Sequence, residues 1–470
     1  MHDELIPRIV VSGLRGGSGK TVLSLSLLTV LHKKGLKIST FKKGPDYIDA
    51  GWLARASGIP CYNLDLFMMT PRQALQSFIS HSHNSHIAVI EGNRGLYDGM
   101  DHKGTYSTAE LAKLLTAPVV IIVDCTKATN TIAAMVLGCQ NMDRDVSIGG
   151  VVLNRVATSR QELVIRKAIR DRCNLPVLGA IPRLKKDPFP ERHMGLTPFQ
   201  EHQGIEESIA AVAEIGSQYL DMDALLKVAE NAGTIEQSEE QGLKKSEIRN
   251  PKSEFLKIGV IRDSAFQFYY QENFEELEKR GAGIMEVSPL REDKLPEIDA
   301  LYIGGGFPET HAIALAENVS FRDSLYNAIQ RGLPVYAECG GLMYLGRSLI
   351  MEGKAYPMVG VLPITFGLQK KPMAHGYTIV EVEKANPFFP REGVFKGHEF
   401  HYSRVLEIEE NDTFLAFNVK RGKGIVDNKD GICYKNVFAA YTHLHAIGTP
   451  EWADGLVRCA EKYKKGVKGL

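Results

Sequence analysis

The stretch GLRGGSGKT, residues 13–21, lies directly behind an apolar run, IVVS, near the start of the chain. Its glycines let backbone N–H groups turn toward a polyphosphate, and its Gly-Lys-Thr ending is typical of a loop that opens a helix. Lys20 would reach the outer phosphates and the Thr21 hydroxyl would hold Mg²⁺. Five residues separate Gly13 from Gly19, one more than the usual spacing. The stretch therefore predicts a variant phosphate-binding loop, with a ligand-free glycine-rich turn as the alternative. The predicted nucleotide contacts are Gly16, Gly17, Ser18, Gly19, Lys20 and Thr21.

Strand-like and helix-like stretches alternate behind this loop. Near-continuous Val/Ile runs such as PVVIIVDC, residues 118–125, are typical of strands that are buried on both faces. The pattern predicts an α/β fold over residues 1–228, with a doubly wound parallel sheet covered by helices. Residues 229–254 are polar and highly charged, which predicts a linker. A second alternating pattern predicts another open sheet over residues 255–470, with ligand sites at the carboxyl ends of its strands.

Composition limits the classes of function. The chain has 470 residues, and its 56 Lys and Arg balance its 56 Asp and Glu, so no global positive charge would attract nucleic acid or an anionic membrane. No apolar run is long enough to span a bilayer. The seven cysteines include no CxxC pair, which favours reduced thiols over disulfides or zinc. We expect a cytoplasmic protein with no nucleic-acid or membrane partner. The sequence leaves the oligomeric state open, with a homodimer as one option.

Acidic residues follow the second and third predicted strands. Asp46 and Asp49 lie in FKKGPDYID, and Glu91, Asp98 and Asp101 lie in VIEGNRGLYDGMD. Carboxylates at strand ends beside a phosphate loop suit Mg²⁺, which binds one or two carboxylates together with phosphates and water. Helix caps and turns are the alternative roles, and for Asp101 the two alternatives are evenly balanced.

A cysteine lies at a second strand-to-helix turn. PVYAECGGLMYLG, residues 334–346, predicts a strand that ends at Cys339 and a helix that begins at Gly340. This is the pattern of a nucleophile elbow, where a helix N-terminus beneath the sulfur would stabilise the thiolate. The backbone N–H groups of Gly305, Gly306 and Gly340 are candidates for binding a developing oxyanion. A buried core thiol is the alternative.

Two downstream histidines could accept the thiol proton. They lie in YTHLHA; His443 is the preferred base and His445 the alternative. The segment resembles class I glutamine amidotransferases, whose common members carry glutamate two residues after the histidine. Because this position is His445 here, the resemblance implies a Cys–His pair rather than a full triad. For His398, Glu399 and His401 of GHEFHYS we favour a structural or inter-domain role, because no fourth metal ligand is evident.

Together these motifs resemble known families. The loop spacing is similar to that of the dethiobiotin synthetase and MinD group. GPDYID, EGNRGLYDG, AECGG and GHEFHYS resemble the cobyrinate a,c-diamide synthases, and the likeness covers nearly the whole chain apart from the linker. The second half resembles a class I glutamine amidotransferase domain. The resemblance implies a dethiobiotin synthetase-like phosphate-loop sheet followed by a flavodoxin-like amidotransferase sheet.

The same resemblance implies a reaction. ATP would activate the a and c carboxylates of cobyrinic acid as acyl phosphates, and hydrolysis of L-glutamine would supply the ammonia, as a step in cobalamin biosynthesis. Cys339 and His443 would be catalytic. The cofactors would be ATP and Mg²⁺, and the substrate a tetrapyrrole polycarboxylate. The residues implied for metal are Thr21, Asp46 and Glu91, and those for substrate or phosphate are Asp46, Tyr47, Asp49 and Asp98.

Several alternatives stay open. Hydrogenobyrinate or nickel sirohydrochlorin could be the substrate instead, and a partitioning-type ATPase switch is a more distant function that leaves the cysteine unused. Arg15 is either a phosphate contact or a solvated loop residue. Lys42, Lys43 and Arg94 either receive the anionic substrate or are solvated. If ammonia passes between the domains, the strand ends of both should face one passage that excludes water.

Overall fold

The chain forms two compact units, Met1–Glu240 and Gln241–Leu470. The computed structural model describes residues 6–184, 189, 191–192, 195–202, 204–235, 255–409 and 412–467. Most of the predicted linker, residues 236–254, lies outside the described residues. No helix among the residues described is long and apolar enough to cross a membrane.

The first unit is a seven-stranded parallel sheet with helices packed against it, as predicted. Its strands lie in the order β3-β2-β4-β1-β5-β6-β7. The seven strands are β1 (Arg8–Gly13), β2 (Ile38–Lys43), β3 (Cys61–Leu64), β4 (Ile87–Glu91), β5 (Val119–Asp124), β6 (Ile148–Val156) and β7 (Val177–Pro182), and a separate short hairpin consists of β8 (Glu191–Arg192) and β9 (Gly195–Leu196). The helices are α1 (Lys20–Lys33), α2 (Tyr47–Ser57), α3 (Pro71–Ser82), α4 (Thr108–Leu114), α5 (Asn130–Met142), α6 (Ser159–Cys173), α7 (Ile205–Tyr219) and α8 (Met222–Glu230), with a 3₁₀ turn at Phe199–Glu201.

β1 lies at the centre of this sheet, between β4 and β5, and all six of its residues are buried. Burial on both faces explains the apolar run at its centre, residues 9–11. The carboxyl ends of β1, β2 and β4 therefore meet at one edge, which brings the phosphate loop close to the acidic segments that follow β2 and β4.

The second unit contains a ten-stranded mixed sheet. Its order is β11-β10-β12-β13-β22-β21-β20-β17-β18-β23, and a separate four-stranded sheet has the order β15-β14-β16-β19. The strands are β10 (Leu256–Ile261), β11 (Ala282–Val287), β12 (Ala300–Ile303), β13 (Val335–Glu338), β14 (Ser348–Met351), β15 (Lys354–Pro357), β16 (Ile364–Leu368), β17 (Ala374–Val382), β18 (Val394–His401), β19 (Ser403–Ile408), β20 (Phe414–Arg421), β21 (Lys429–Tyr434), β22 (Val437–Ala440) and β23 (His443–Leu444). The helices are α9 (Gln271–Lys279), α10 (Ala312–Glu317), α11 (Val319–Gln330), α12 (Gly340–Leu345) and α13 (Pro450–Val467), with a 3₁₀ turn at Pro308–His311.

Half of this large sheet is parallel and half is antiparallel. The five strands from β11 to β22 run parallel, and from β22 onward every pairing is antiparallel. Only Tyr441 and Thr442 separate β22, in the middle of the sheet, from β23 at its end. The antiparallel half must therefore curl back, so that β18 and β23 lie beside the carboxyl ends of the parallel strands.

The first residues of the predicted linker belong to the first unit instead. α8 continues to Glu230, and both Ala229 and Ala232 are buried. The Gly233 N–H donates to the Thr116 carbonyl at 3.0 Å. Composition did not predict this packing, because two alanines and a few backbone hydrogen bonds are enough to hold the segment against the first unit.

A buried arginine ties the same segment to β1. The Arg8 guanidinium donates to the carbonyls of Leu115 (2.6 Å), Ile6 (2.9 Å) and Gly233, and to the Thr116 hydroxyl (2.6 Å). Burial lowers the pKa of Arg8 to about 10. One side chain therefore satisfies acceptors from three separate stretches of the chain.

We expect Arg8→Ala to lower the free energy of unfolding of the first unit by about 3 kcal/mol, because several buried acceptors lose their donor together. The chain has two tryptophans, one in each unit, so a Trp452→Phe background leaves Trp52 fluorescence to report on the first unit during urea unfolding. Arg170→Ala, which removes only an exposed ion pair with Asp171, is the control and should change the value by less than about 0.5 kcal/mol. Equal effects of the two substitutions would contradict the assigned role of Arg8.

Candidate active sites

The phosphate loop connects β1 to α1 in a conformation that requires glycine at two positions. Gly17 has φ +71° and Gly19 has φ +100°, both in the left-handed region. A Cβ at Gly19 would also lie 2.3 Å from Asn154 Nδ2. That amide, at the carboxyl end of β6, donates to the Ser18 carbonyl at 2.9 Å. Asn154 therefore supports the backbone of the loop, a contact that no local sequence pattern predicts.

The loop borders a cavity of about 510 Å³. Gly16, Gly17, Gly19, Lys20 and Thr21 line its wall, together with Lys42, Asp49, Arg94 and Asn154 from other segments. Ser18 is buried, and its hydroxyl donates to the Arg15 carbonyl at 2.9 Å. The predicted nucleotide contacts are thus collected around one cavity, with Ser18 serving the loop itself.

Lys20 is only 8% exposed, and its ammonium donates to the Arg15 carbonyl at 3.3 Å. Burial, followed by the nearby Lys42 ammonium, lowers the pKa of Lys20. Arg15 points outward with 72% of its side chain exposed, 3.4 Å from Asp124. Of the two roles considered for Arg15, this position matches the solvated one.

A buried charge cluster lies at the ends of β2 and β4. Lys42 Nζ lies 2.7 Å from both Asp49 Oδ2 and Glu91 Oε1, and the Thr21 hydroxyl donates to Glu91 Oε1 at 3.1 Å. Sheet register sets this geometry, because Lys42 pairs directly with Glu91. Lys42 is therefore a buried partner of carboxylates on the cavity wall and is not a solvated loop residue.

The electrostatics of the cluster follow from burial and from Lys42. Burial raises the pKa of Glu91, while the Lys42 ammonium opposes that shift. At Asp49 burial acts in the same upward direction, but Lys42 outweighs it and the pKa is lowered. Burial, then the Asp49 charge, raises the pKa of Asp46 to about 7. Asp46 also caps α2, accepting the Asp49 N–H at 2.9 Å.

The remaining predicted residues are Asp98 and Asp101, in the loop that follows β4, and Tyr47 of α2. Asp98 is exposed and accepts the Gly95 N–H at 2.8 Å, and its charge opposes the lowering of the Lys20 pKa. Asp101 accepts from Thr105 and from the Lys103 N–H, which is a turn-forming role. Tyr47 is the first residue of α2, next to the Asp46 cap.

Magnesium fits part of this cluster. Within the described residues, no group of three or more His, Cys, Asp or Glu side chains is arranged to hold a metal ion. Mg²⁺ beside a phosphate loop needs only one or two protein oxygens, because phosphates and water complete its shell. Glu91 Oε2 is buried with no hydrogen-bond partner among the described residues, and Glu91 Oε1 already contacts the Thr21 hydroxyl. Thr21 and Glu91 are therefore the residues that would hold it, whereas the third predicted ligand, Asp46, accepts the Asp49 N–H as the cap of α2.

In the second unit, Cys339 lies at a strained turn between β13 and α12. Its φ is +47°, unusual for a residue with a side chain, and its N–H donates to the Ala440 carbonyl at 2.7 Å. A Cβ at Gly340 would lie 3.0 Å from the Gly306 nitrogen, so the turn contacts the loop that follows β12. The local geometry is that of the predicted nucleophile elbow.

The sulfur is more buried than the sequence suggested. Cys339 is 5% exposed, and Sγ lies 3.8 Å from the Phe400 carbonyl of the GHEFHYS segment. Burial, followed by the Glu309 charge, raises the pKa of the thiol. The Gly340 N–H at the start of α12 acts in the predicted, thiolate-stabilising direction, but desolvation outweighs it in this conformation.

His443 is the histidine beside the glycine loop. A Cβ at Gly305 would lie 2.5 Å from His443 Cε1 and 3.2 Å from Nε2. His443 Nδ1 lies 3.3 Å from Glu338 Oε2, and its ring stacks on His398 with centroids 4.9 Å apart. The sequence predicted a Cys–His pair without an acidic neighbour; the structure instead places Glu338 against the base.

His445 faces another direction. Its Nδ1 accepts the Ile447 N–H at 3.3 Å, and its Nε2 lies 3.6 Å from Glu272 Oε2. In GHEFHYS, Glu399 accepts the N–H groups of Lys423 and Gly424. Burial and the charge of His443 lower the pKa of His398 well below its ordinary value, so this ring stays neutral. The GHEFHYS segment thus forms a wall of the cysteine site within its own unit.

We expect Gly19→Ala to weaken ATP binding at least 10-fold, because the new Cβ would collide with Asn154 and the φ value disfavours alanine. Isothermal titration with ATP and Mg²⁺ measures this change. Gly138→Ala is the matched control, because nothing lies within 4 Å of the Cβ position of Gly138 on α5. The affinity of this variant for ATP should match that of the wild type. Unchanged binding by the Gly19 variant would remove the loop from the nucleotide site.

Comparisons with known proteins agree with both sites. Residues 9–196 match the CobQ/CobB/MinD/ParA nucleotide binding domain, and residues 257–450 match the CobB/CobQ-like glutamine amidotransferase domain. Cobyrinate a,c-diamide synthase of Magnetococcus marinus is 40% identical over 453 residues, 96% of this chain and 97% of the relative. The proteins of that name from Archaeoglobus fulgidus (40% identical, 98% of each chain) and Methanothermobacter thermautotrophicus (38%, 97% of this chain and all of the relative) are similar over comparable lengths. Because these relatives match nearly the whole chain, including the phosphate loop and the cysteine elbow, the chain belongs to the cobyrinate a,c-diamide synthase family.

Proposed function

We propose that this protein amidates the a and c side-chain carboxylates of cobyrinic acid, with ATP and L-glutamine as co-substrates. Membership of the family supports glutamine-dependent amidation in cobalamin biosynthesis. The observation that carries the proposal is that one chain holds two complementary sites. One is a phosphate-loop cavity that includes Lys20 and Thr21. The other is an elbow cysteine whose neighbour Gly340 lies against the glycine loop that also contacts the His443 ring.

The second unit would release ammonia from glutamine. Cys339 Sγ attacks the side-chain amide carbon, and its proton passes to His443. His443 returns a proton to the amide nitrogen as the C–N bond breaks, so ammonia leaves and a thioester forms. Water then hydrolyses the thioester to glutamate and restores the thiol. The N–H groups of Gly305, Gly306 and Gly340 are the candidates for stabilising the oxyanion in both halves of the reaction.

The first unit would activate the carboxylate. A carboxylate is a poor acyl donor until its oxygen attacks the terminal phosphorus of ATP, which forms an acyl phosphate and releases ADP. Ammonia then attacks the acyl carbon and displaces phosphate, which gives the amide. Lys20 and the loop N–H groups would hold the phosphoryl group and offset its charge. Mg²⁺, when bound, would add positive charge at the same phosphates. Thr21 and Glu91 are the proposed ligands, and Asp46, Tyr47, Asp49 and Asp98 the proposed contacts of substrate or phosphate.

Mass spectrometry of cobyrinic acid incubated with the protein, ATP, Mg²⁺ and glutamine tests the proposal. We expect a product with two carboxylates converted to amides. Parallel incubations with hydrogenobyrinate and nickel sirohydrochlorin identify the preferred tetrapyrrole. If cobyrinic acid stays unchanged while one of these is amidated, the substrate assignment is wrong although the chemistry stands.

Two substitutions should separate the half-reactions. Cys339→Ala should lose glutamine-dependent synthesis by at least about 100-fold but keep synthesis with ammonium salt at alkaline pH, because only the nitrogen supply is removed. Lys20→Ala should lose synthesis from both nitrogen sources. Cys433→Ala, which removes another buried thiol of the same unit, should keep both activities. Glutamine hydrolysis at the wild-type rate by the Cys339→Ala variant would refute the amidotransferase function and favour an ATPase switch.

A further inference from the structure

The catalytic imidazole of this site needs a partner for its second ring nitrogen. A general base works when one nitrogen faces the nucleophile and a third group holds the other nitrogen in a single tautomer. The residue two positions beyond His443 cannot do this, because it is His445, which is directed toward Ile447 and Glu272. Any orienting acid must therefore come from elsewhere in the fold.

Glu338 lies where such an acid is needed. Its Oε2 is 3.3 Å from His443 Nδ1, and both side chains are at most 2% exposed. Glu338 is the last residue of β13, and it pairs in register with Ala440 of β22. The strand that ends in the nucleophile thus also presents the carboxylate, and β22 runs on into the segment that carries the base.

Three further donors hold the same carboxylate. The Tyr302 hydroxyl donates to Oε2 at 3.0 Å, the Leu444 N–H donates to Oε1 at 3.1 Å, and the Tyr336 hydroxyl lies 3.3 Å from Oε1. Burial, followed by the charge of Glu338, raises the pKa of Tyr302 and of Tyr336 well above the ordinary value, so both phenols stay protonated. With donors around both oxygens, the ionised form is well solvated by the protein, and an ionised carboxylate can only accept from Nδ1.

We propose that Glu338 is the positioning residue for His443: it accepts the Nδ1 hydrogen, keeps Nε2 as the proton acceptor on the Gly305 side, and stabilises the imidazolium that forms when Cys339 is deprotonated. The inference rests on the proposed glutamine hydrolysis.

Charge and packing at the site make this role necessary. The thiol of Cys339 is buried and holds its proton more tightly than a free cysteine, so it depends on a base. The neutral His398 ring, stacked within 8° of parallel on His443, fixes the plane of the imidazole but adds no charge. Glu338 is a buried carboxylate within 3.3 Å of His443 Nδ1, so it can supply that charge.

Glu338→Gln tests the role, because it keeps the shape of the side chain and removes its charge. We expect kcat for glutamine hydrolysis to fall at least about 100-fold with KM within about threefold, while ammonium-dependent synthesis stays at the wild-type level. The acid limb of kcat/KM should move to lower pH, because loss of a carboxylate lowers the pKa of the adjacent imidazole. Glu272→Gln, which removes the charge from another buried Glu–His pair, is the matched control and should change none of these values.

Two results would overturn the positioning role. One is glutamine hydrolysis at the wild-type rate by the Glu338→Gln variant, and the other is an equal loss of glutamine- and ammonium-dependent synthesis. Absence of hydrolysis in the wild type would instead refute the proposed function. A measurement on the wild type covers the case in which the variant does not fold: ¹⁵N-histidine spectra at neutral pH should show His443 protonated at Nδ1 and bare at Nε2, with its signals identified by their loss in His443→Asn. The opposite tautomer would overturn the inference.

Discussion

A charge buried at the end of a strand must be paired or surrounded by donors, and both sites of this protein are organised by that requirement. Lys42 is 1% exposed and can remain an ammonium only because Asp49 and Glu91 lie 2.7 Å away. Glu338 is equally buried and is held by two phenols, a backbone N–H and an imidazole. Each cluster also contacts a candidate site residue, because Glu91 accepts from the Thr21 hydroxyl and Glu338 lies against His443.

The parallel sheets explain why such charges gather where they do. Strands that are buried on both faces leave their polar residues at the ends, and in a parallel sheet the carboxyl ends share one edge. Register then determines which residues meet: Lys42 lies opposite Glu91, and Glu338 lies opposite Ala440. Glycines complete each edge, because the loops must approach other groups closely. Gly19 lies against Asn154, and Gly305 lies against the His443 ring.

Most features of the fold and of the candidate sites that could be predicted came from contiguous sequence motifs. The alternation of strands and helices in the first unit, the glycine loop before α1 and the strand-to-helix turn at Cys339 all depend on neighbours within about ten residues, so local patterns were enough. The antiparallel half of the second sheet was not predicted, because its strands lack the alternating helices that reveal a parallel unit. The segment after α8 was taken for linker because composition cannot report a few backbone contacts.

By itself, the amino-acid sequence determined the α/β class, the phosphate loop and the identity of the elbow cysteine, because these depend on the spacing of neighbouring residues. Only the tertiary structure decided that Glu338 contacts His443, that His443 rather than His445 faces the glycine loop, and that Lys42 is buried. Asn154 and Ser18 are 136 residues apart, and His443 and Glu338 are 105 apart. Contacts over such separations arise from strand order and register, which the packing of the whole sheet selects.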